Sequence, residues 1–332
     1  MREKGNHTRI GRGIELTPEQ PLGEVAALAE RAENAGFDTV LSSCHYFNRD
    51  PFVALSRVVA ATEDVRVGPG VVNPYESHPV SLASRAATLQ EESGGRALFG
   101  IGAGDASTLS ALGIERERPL RRVLESIGVA RELWAGGSVE RDGAVTARGA
   151  SLNYAVDSLP VYVGAQGPDM LRMAAKHADG VLYNAAHPRD VAWAADRIEE
   201  GLSGRPGTAE AFDFVVQASV SVAREEAPAR ETARQAAAFI AGGAAPPVLA
   251  RHGIDADRAG EIGDLVSAGE FRAAFTEVSG AMIDAFCVAG TPEDVTERVA
   301  SIRDYADGVV ASTPLGPDRT RAIDLLADAI PR

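Results

Sequence analysis

The sequence predicts an α/β fold, a (β/α)8 TIM barrel formed by a single domain of residues 1–332, and three observations predict it. Short runs rich in Val, Ile and Leu alternate with amphipathic segments along the whole chain, and eight such runs can be counted. Most of the runs are continuously apolar, as in parallel strands buried on both faces under a coat of helices. Polar and glycine residues collect just beyond the C-terminal ends of the runs, where barrels of this type carry their chemistry. A doubly wound sheet is the rival arrangement of the same pattern.

Gly13-Ile14-Glu15-Leu16 reads as the first strand, and Thr17-Pro18-Glu19 turns the chain into a helix. Leu22, Val25, Leu28, Ala29 and Ala32 share one face of that helix, and Gly36 stops it. Residues 37–43 form the second strand, 65–72 the third and 97–102 the fourth. Residues 159–164, 180–184, 214–222 and 308–312 complete the eight. Two stretches exceed a minimal β/α unit. Residues 138–154, with Arg141-Asp142-Gly143 at the turn, are expected to form a hairpin excursion. Residues from about 225 to 289 are expected to be a helical insertion before the last strand.

Composition narrows the partners. The 332 residues are 45% hydrophobic and 24% charged, enough for a sizeable core. A formal charge of −14 argues against nucleic acid or an anionic membrane, which both require a basic face. The N-terminal segment is charged rather than apolar, and the longest uncharged apolar run, residues 235–250, is broken by Gly and Pro. A cytoplasmic protein is expected. Cys44 and Cys287 form no CxxC pair and the six histidines no HxxxH pair, so no metal site is expected. Lys4 and Lys176 are the only lysines; an acidic, lysine-poor surface fits the salty cytoplasm of a halophilic archaeon, and high genomic GC content gives a similar arginine bias.

Six strand ends deliver candidate site residues. They are Glu15, Ser43-Cys44-His45-Tyr46, Gly70-Val71-Val72-Asn73, Gly102-Ala103-Gly104-Asp105, Gly164-Ala165-Gln166-Gly167-Pro168, and Asn184 with the nearby His187-Pro188. Gly164-Ala165-Gln166-Gly167-Pro168 follows a strand and precedes a helix, where glycines let backbone N–H groups approach a phosphate. The same five residues also read as a tight turn without a ligand. Glu15 and Asp105 are candidate paired carboxylates for acid and base work, and each is equally readable as a helix cap or an ion-pair partner. His45 and His187 are candidate donors to a ligand or ordinary structural histidines. Cys44 beside His45 lacks the third group that would make a nucleophile. Met170, Met173 and Trp134 read as core.

Taken in order, these stretches resemble the coenzyme-F420-dependent methylenetetrahydromethanopterin reductases of the bacterial-luciferase-like superfamily. The resemblance rests on Gly13-Ile14-Glu15, His45-Tyr46 with Asn48-Arg49, Val67-Gly68-Pro69-Gly70-Val71 with Asn73-Pro74-Tyr75, and Ser93-Gly94-Gly95-Arg96-Ala97. It continues through Gly100-Ile101-Gly102 with Gly104-Asp105, Gly164-Ala165-Gln166-Gly167-Pro168, Ala178-Asp179-Gly180-Val181-Leu182, Arg251-His252-Gly253-Ile254 and Gly290-Thr291-Pro292-Glu293-Asp294. It covers nearly the whole chain.

The resemblance implies hydride transfer from the deazaflavin F420 to a 5,10-methylene-tetrahydropterin, of methanopterin or folate type, in a homodimer or homotetramer. It implies a non-prolyl cis peptide at Gly70–Val71, backing one face of the deazaflavin. It implies contacts to the coenzyme from Cys44, His45, Gly70, Val71, Asn73, Gly104, Gly164 to Pro168 and Asn184, with Gly164 to Pro168 as the phosphate turn. Glu15 and Asp105 then fall on acidic positions near the reaction centre, and the chemistry of opening the imidazolidine ring points to Glu15 as general acid and Asp105 as electrostatic partner, the reverse assignment staying open. Three departures stand out. Cys44 replaces the family's Asp in an Asp-His-Tyr run, Ser279-Gly280-Ala281 replaces an acidic run before Met282-Ile283, and the first nine residues are an extension. Two alternatives follow: an FMN-dependent luciferase-like monooxygenase, and a non-catalytic paralogue that binds coenzyme or pterin.

Overall fold

A computed structural model describes residues 9–207 and 211–331. Residues 1–8 of the expected extension lie outside the described residues. The strands, in chain order, are β1 (Arg12–Glu15), β2 (Thr39–Ser42), β3 (Arg66–Pro69), β4 (Phe99–Gly102), β5 (Val139–Asp142) and β6 (Thr146–Ala150). They continue with β7 (Val161–Ala165), β8 (Gly180–Asn184), β9 (Asp213–Val222), β10 (Val288–Gly290) and β11 (Gly308–Leu315). Eight of them pair in the order β3-β2-β1-β11-β9-β8-β7-β4, every pairing parallel. Bridges from Val67 to Ala97 and from Val72 to Ile101 join β3 to β4 and close the sheet on itself. An open doubly wound sheet would leave β3 and β4 as edges, so the barrel is the fold.

The third strand stops at Pro69, short of the expected Val72. Gly70 N–H still donates to Ser42 O at 2.9 Å, the chain then bulges at Val71, and pairing with β4 resumes when Val72 N–H donates to Gly100 O at 3.0 Å. The last strand runs on to Leu315 beyond the expected end. The excursion after the helix Pro119–Trp134 is the antiparallel hairpin β5–β6. It is fastened by Val145 N–H donating to the Glu125 carboxylate at 2.9 Å.

Side chains alternate in and out along each strand. Ile14, Val40, Val67 and Ile101 pack outward with the helices, while Leu41, Leu98, Tyr162, Leu182, Val215 and Val310 join Ile10 to fill the barrel interior. One step further along the inward rows lie Glu15, Ser43, Gly102, Gly164, Asn184, Gln217 and Ser312. An apolar plug therefore supports a rim that is polar on one side and glycine on the other.

Between β9 and β10 five helices intervene: Glu226–Gly243, Pro246–Arg251, Ala256–Ser267, Phe271–Glu277 and Gly280–Phe286. They bury their own core, including Ala237, Leu249, Ile262, Met282 and Phe286. The end of the expected helical stretch is instead strand β10. Neighbouring β8 reaches only as far as Gln217, so the outer part of β9 has a bare edge on that side, and β10 pairs there from Val288↔Val220 to Gly290↔Val222. A seat for the insertion is built from charge. Asp190, 4% exposed, accepts from Arg251 and contacts His252 Nε2 at 2.7 Å, while the Arg251 guanidinium lies over Trp193.

At the barrel floor the Asp213 carboxylate accepts from the Tyr162 hydroxyl at 2.7 Å and Ile10 N–H at 2.8 Å. Burial nevertheless pushes its carboxyl up to about 6. A raised pKa means the folded state favours the protonated form, so this contribution is complete below the pKa of an unfolded aspartate, near 4. It is lost as the pH rises through about 6. Asp213→Asn keeps an acceptor for both donors and cannot ionise. Urea unfolding at a series of pH values should show wild type losing roughly 3 kcal/mol relative to the variant between about pH 4 and pH 8. Parallel pH curves would refute this.

Candidate active site

A cavity of about 790 Å³ opens at the C-terminal rim of the barrel, within the range of small-molecule sites. Cys44, His45, Gly70, Val71, Asn73, Gly104, Gly164, Ala165, Gln166, Gly167, Pro168, Asn184 and Asp105 all line it. The loops after β2, β3, β4, β7 and β8 thus meet around one space.

The wall is organised by Val71. The Gly70–Val71 peptide is cis. A Cβ at Gly102 or at Gly164 would lie 2.8 Å from Val71 Cγ2, and one at Gly100 would lie 1.9 Å from Pro69 O. Glycine at these three facing positions is what makes room for the β3 bulge. Asn73 fixes the continuation: its Oδ1 accepts from Tyr75 N–H at 3.1 Å and Glu76 N–H at 3.0 Å, and its Nδ2 donates to the Glu76 carboxylate.

Across the cavity, Gly167 precedes the helix Pro168–His177, with Pro168 at its first position, so the amino end of that helix faces the space. Gln166 Nε2 donates to Asn184 O at 3.1 Å and ties the β7 and β8 loops together. Met170, expected in the core, lies on this wall, because the first turn of the helix points at the opening.

Asp105 caps the short helix Ala106–Ala111, accepting from Thr108 N–H at 2.8 Å and the Ser107 hydroxyl at 2.5 Å. Burial alone would raise its carboxyl, but these hydrogen bonds and the nearby His45 hold it below the ordinary range. The His45 ring is pulled the other way, toward neutrality, by burial that outweighs the attraction of Asp105 and Glu76. Its Nδ1 is buried without a hydrogen-bond partner. The Cys44 thiol, pushed up to about 12 by burial and by Glu76 and Asp50, is a neutral group on the wall.

Glu15 is placed differently. It is 3% exposed and lies behind the wall rather than on it. Its Oε1 accepts from the Thr17 hydroxyl at 3.0 Å and from Ser43 N–H at 3.2 Å, and Ser43 itself lines the cavity. Burial raises the Glu15 carboxyl despite these bonds. The two carboxylates thus hold opposite protonation tendencies at one end of the barrel. His187 caps the helix Pro188–Leu202 through Nδ1, 3.1 Å from Arg189 N, and does not line the cavity.

Lining groups that were not among the sequence candidates include Glu76, Arg116, Asp169, Gln217 and the Gly243 end of the insertion's first helix. Gln217 had a signal, since it is the lone amide in the run Val215-Val216-Gln217-Ala218 of a buried strand. The unpaired His45 Nδ1 gives a flat ring a polar anchor, and the wall of Gly70, Val71, Gly104 and Gly164 gives it a place to lie, so the residues present fit a deazaflavin-sized group.

Known proteins resemble the chain over nearly its whole length. The family model for luciferase-like monooxygenases matches residues 6–309. A 5,10-methylenetetrahydromethanopterin reductase of Archaeoglobus fulgidus is 39% identical over 96% of this chain and 98% of its own. One from Methanolobus tindarius is 37% identical over 96% and 98%. The solved coenzyme F420-dependent tetrahydromethanopterin reductase of Methanopyrus kandleri superposes with a TM-score of 0.89 at 33% identity, covering 97% of this chain and 98% of that one.

The packing of Val71 is testable by volume. Gly164→Ala should cost about 1–3 kcal/mol of stability by overpacking against Val71. Adding Val71→Ala should restore most of that loss, since the Val71 Cβ is 3.7 Å from the new methyl. Thermal denaturation of the two single variants and the double variant measures the coupling, and simple additivity would count against the arrangement.

Proposed function

We infer the activity from one premise: this chain belongs to the luciferase-like monooxygenase family and, within it, to the methylenetetrahydromethanopterin reductases. We propose that it transfers a hydride from reduced coenzyme F420, an 8-hydroxy-5-deazaflavin, to 5,10-methylene-tetrahydropterin of the methanopterin or folate type, giving the 5-methyl form. The observation that carries this reading is the convergence of five strand ends on one cavity in which a glycine strip faces Val71 beside the unpaired His45 Nδ1.

His45, Cys44, Gly70, Val71, Asn73, Gly104 and Asn184 would hold the ring system, and the turn from Gly164 to Pro168 the phosphate. When bound, the reduced deazaflavin supplies the hydride. The protein's own contribution is proton placement and electrostatics. Opening the imidazolidine ring of the substrate requires a proton on nitrogen and leaves a cationic iminium. Glu15, buried and biased toward its acid form, is the proton source, with the hydroxyl of Ser43, which lies between it and the cavity, accepting its proton and passing its own onward. Asp105, biased toward its carboxylate, lies on the wall and stabilises the cation. Val71, partly buried over the apolar plug, gives the reacting face an apolar floor.

The same proposal sets the enzyme in the cytoplasm as a homodimer or homotetramer, a salt-adapted protein with a small-molecule substrate. The acidic, lysine-poor composition supports it, and no helix among the described residues is long and apolar enough to cross a membrane.

Turnover with reduced F420 and the two methylene-tetrahydropterins tests the activity, and no oxidation of F420 with either would end the proposal. Within it, Glu15→Gln should lower kcat at least about a hundredfold while leaving the F420 Kd within about twofold. Wild-type activity should fall as the pH rises through the elevated Glu15 pKa, because the acid form is lost, and the Gln variant should lack that limb. Near-normal kcat in the variant would remove Glu15 from the reaction.

A further inference from the structure

Among the described residues the insertion contributes a single group to the cavity wall, Gly243 at the end of the helix Glu226–Gly243. All the other lining residues come from the barrel. The barrel loops are held by strand register, and Gln166 donating to Asn184 O adds a tie between two of them. Gly243 is held by other means.

Two glycines transmit its position. A Cβ at Gly242 would lie 2.7 Å from Gly263 Cα, and one at Gly263 would lie 2.8 Å from Gly242 O. The last turn of the first insertion helix therefore rests directly on the backbone of the helix Ala256–Ser267. That helix follows Arg251 and His252, which the barrel clamps. Asp190, in the first turn of Pro188–Leu202, accepts from Arg251 Nη1 with one oxygen and faces His252 Nε2 at 2.7 Å with the other. The His252 side chain is 5% exposed and that of Arg251 15%, so the cluster is largely withdrawn from water. Arg189 Nη1 donates to Arg251 O at 2.5 Å, the Arg251 guanidinium lies 4.6 Å over the Trp193 ring, and His187 meets His252 edge-on at 4.9 Å. The opposite end of the insertion has its own tether, Arg298 Nη1, which donates to Ala186 O at 3.2 Å and Asp284 O at 3.0 Å. A buried ion pair adds little net stability, since desolvation offsets its attraction, but separating its partners is costly. Such a pair holds a position.

We propose that Asp190 is a positioning residue for the second reactant: through Arg251 and His252 it sets where Gly243 stands on the wall, and hence how the tetrahydropterin seats over the coenzyme. This rests on the reductase reading above and adds to it. The groups assigned to the coenzyme all stand on the barrel, so the molecule left to meet the insertion is the pterin. The line of contact runs from the carboxylate to the guanidinium and imidazole, along Ala256–Ser267, across Gly263 to Gly242, and ends at the neighbouring Gly243.

Steady-state kinetics with reduced F420 and whichever methylene-tetrahydropterin wild type turns over, beside equilibrium F420 titration, tests this. Asp190→Asn keeps the shape and removes the charge opposite Arg251. It should raise KM for the pterin roughly fivefold or more, with kcat and the F420 Kd within about twofold of wild type. Gly263→Ala pushes on the same line of contact from the insertion without touching a charge, and should raise the same KM. Because both act on one link, the double variant should raise KM by less than the product of the two. Amide hydrogen exchange in the coenzyme-free protein should quicken over residues 243–255 in Asp190→Asn and stay unchanged over 161–184. A fall in kcat with KM unchanged, or an F420 Kd weakened as much as KM, would reduce Asp190 to a structural role and overturn the assignment. Should Asp190→Asn fail to fold, Gly263→Ala decides alone, and an unchanged pterin KM there overturns the proposal. Wild type that oxidises reduced F420 with neither pterin would overturn the reductase reading, and this inference with it.

Discussion

The seam between β3 and β4 has room for the Val71 side chain or for side chains at the three facing glycines, and not for both. Everything at the rim follows from that steric choice. Because Gly100, Gly102 and Gly164 present no Cβ, the chain can leave the ladder after Gly70, bulge inward at Val71 and rejoin β4 at Val72. The bulge carries Val71 over the apolar plug and delivers Asn73, whose side chain then sets the turn through Tyr75 and Glu76. Half of the rim is thereby smooth and apolar, and the remaining polar groups converge on it from the opposite strands.

The two carboxylates show how the same fold gives like groups unlike chemistry. Glu15 occupies an inward row of a strand, surrounded by neighbours that remove it from water, and desolvation governs it. Asp105 occupies a helix cap with a hydroxyl and a backbone N–H aimed at its oxygens and an imidazole nearby, and there the donors prevail over burial. One position past a strand end can thus favour a proton, and another favour a charge, with no basic side chain spent on either. This economy suits a chain with so few lysines.

Much of the architecture was legible because buried parallel strands advertise themselves as apolar runs and their helices as periodic stripes. The run through residues 180–184 matched β8 to the residue, and the run through 214–222 missed β9 by one. The third strand was overread because Val71 and Val72 continue an apolar run after Gly70 has made the last bond to β2. Strand β10 was unreadable, since only the unoccupied edge of β9 makes three residues a strand. At the site, glycine-rich strand ends marked the wall well, as did His45 and Asp105. The sequence could not show that Glu15 stops one residue behind that wall, which depends on the register of β1 against β2. Nor could it single out Arg116 in the charged run Glu115-Arg116-Glu117-Arg118, where only the folded loop decides which cation lines the cavity.

The pairing of β10 with β9 has a consequence for how such a barrel can change over evolution. The chain leaves the barrel at Val222 and comes back at Gly290 directly alongside it. Ends that are already neighbours make the segment between them a detachable appendage, because lengthening or trimming it alters the closure entropy only logarithmically. The barrel's register is untouched by such edits, while Gly243 on the cavity wall lets each new version redraw the mouth. Substrate preference can therefore drift in a region whose failures do not unmake the fold.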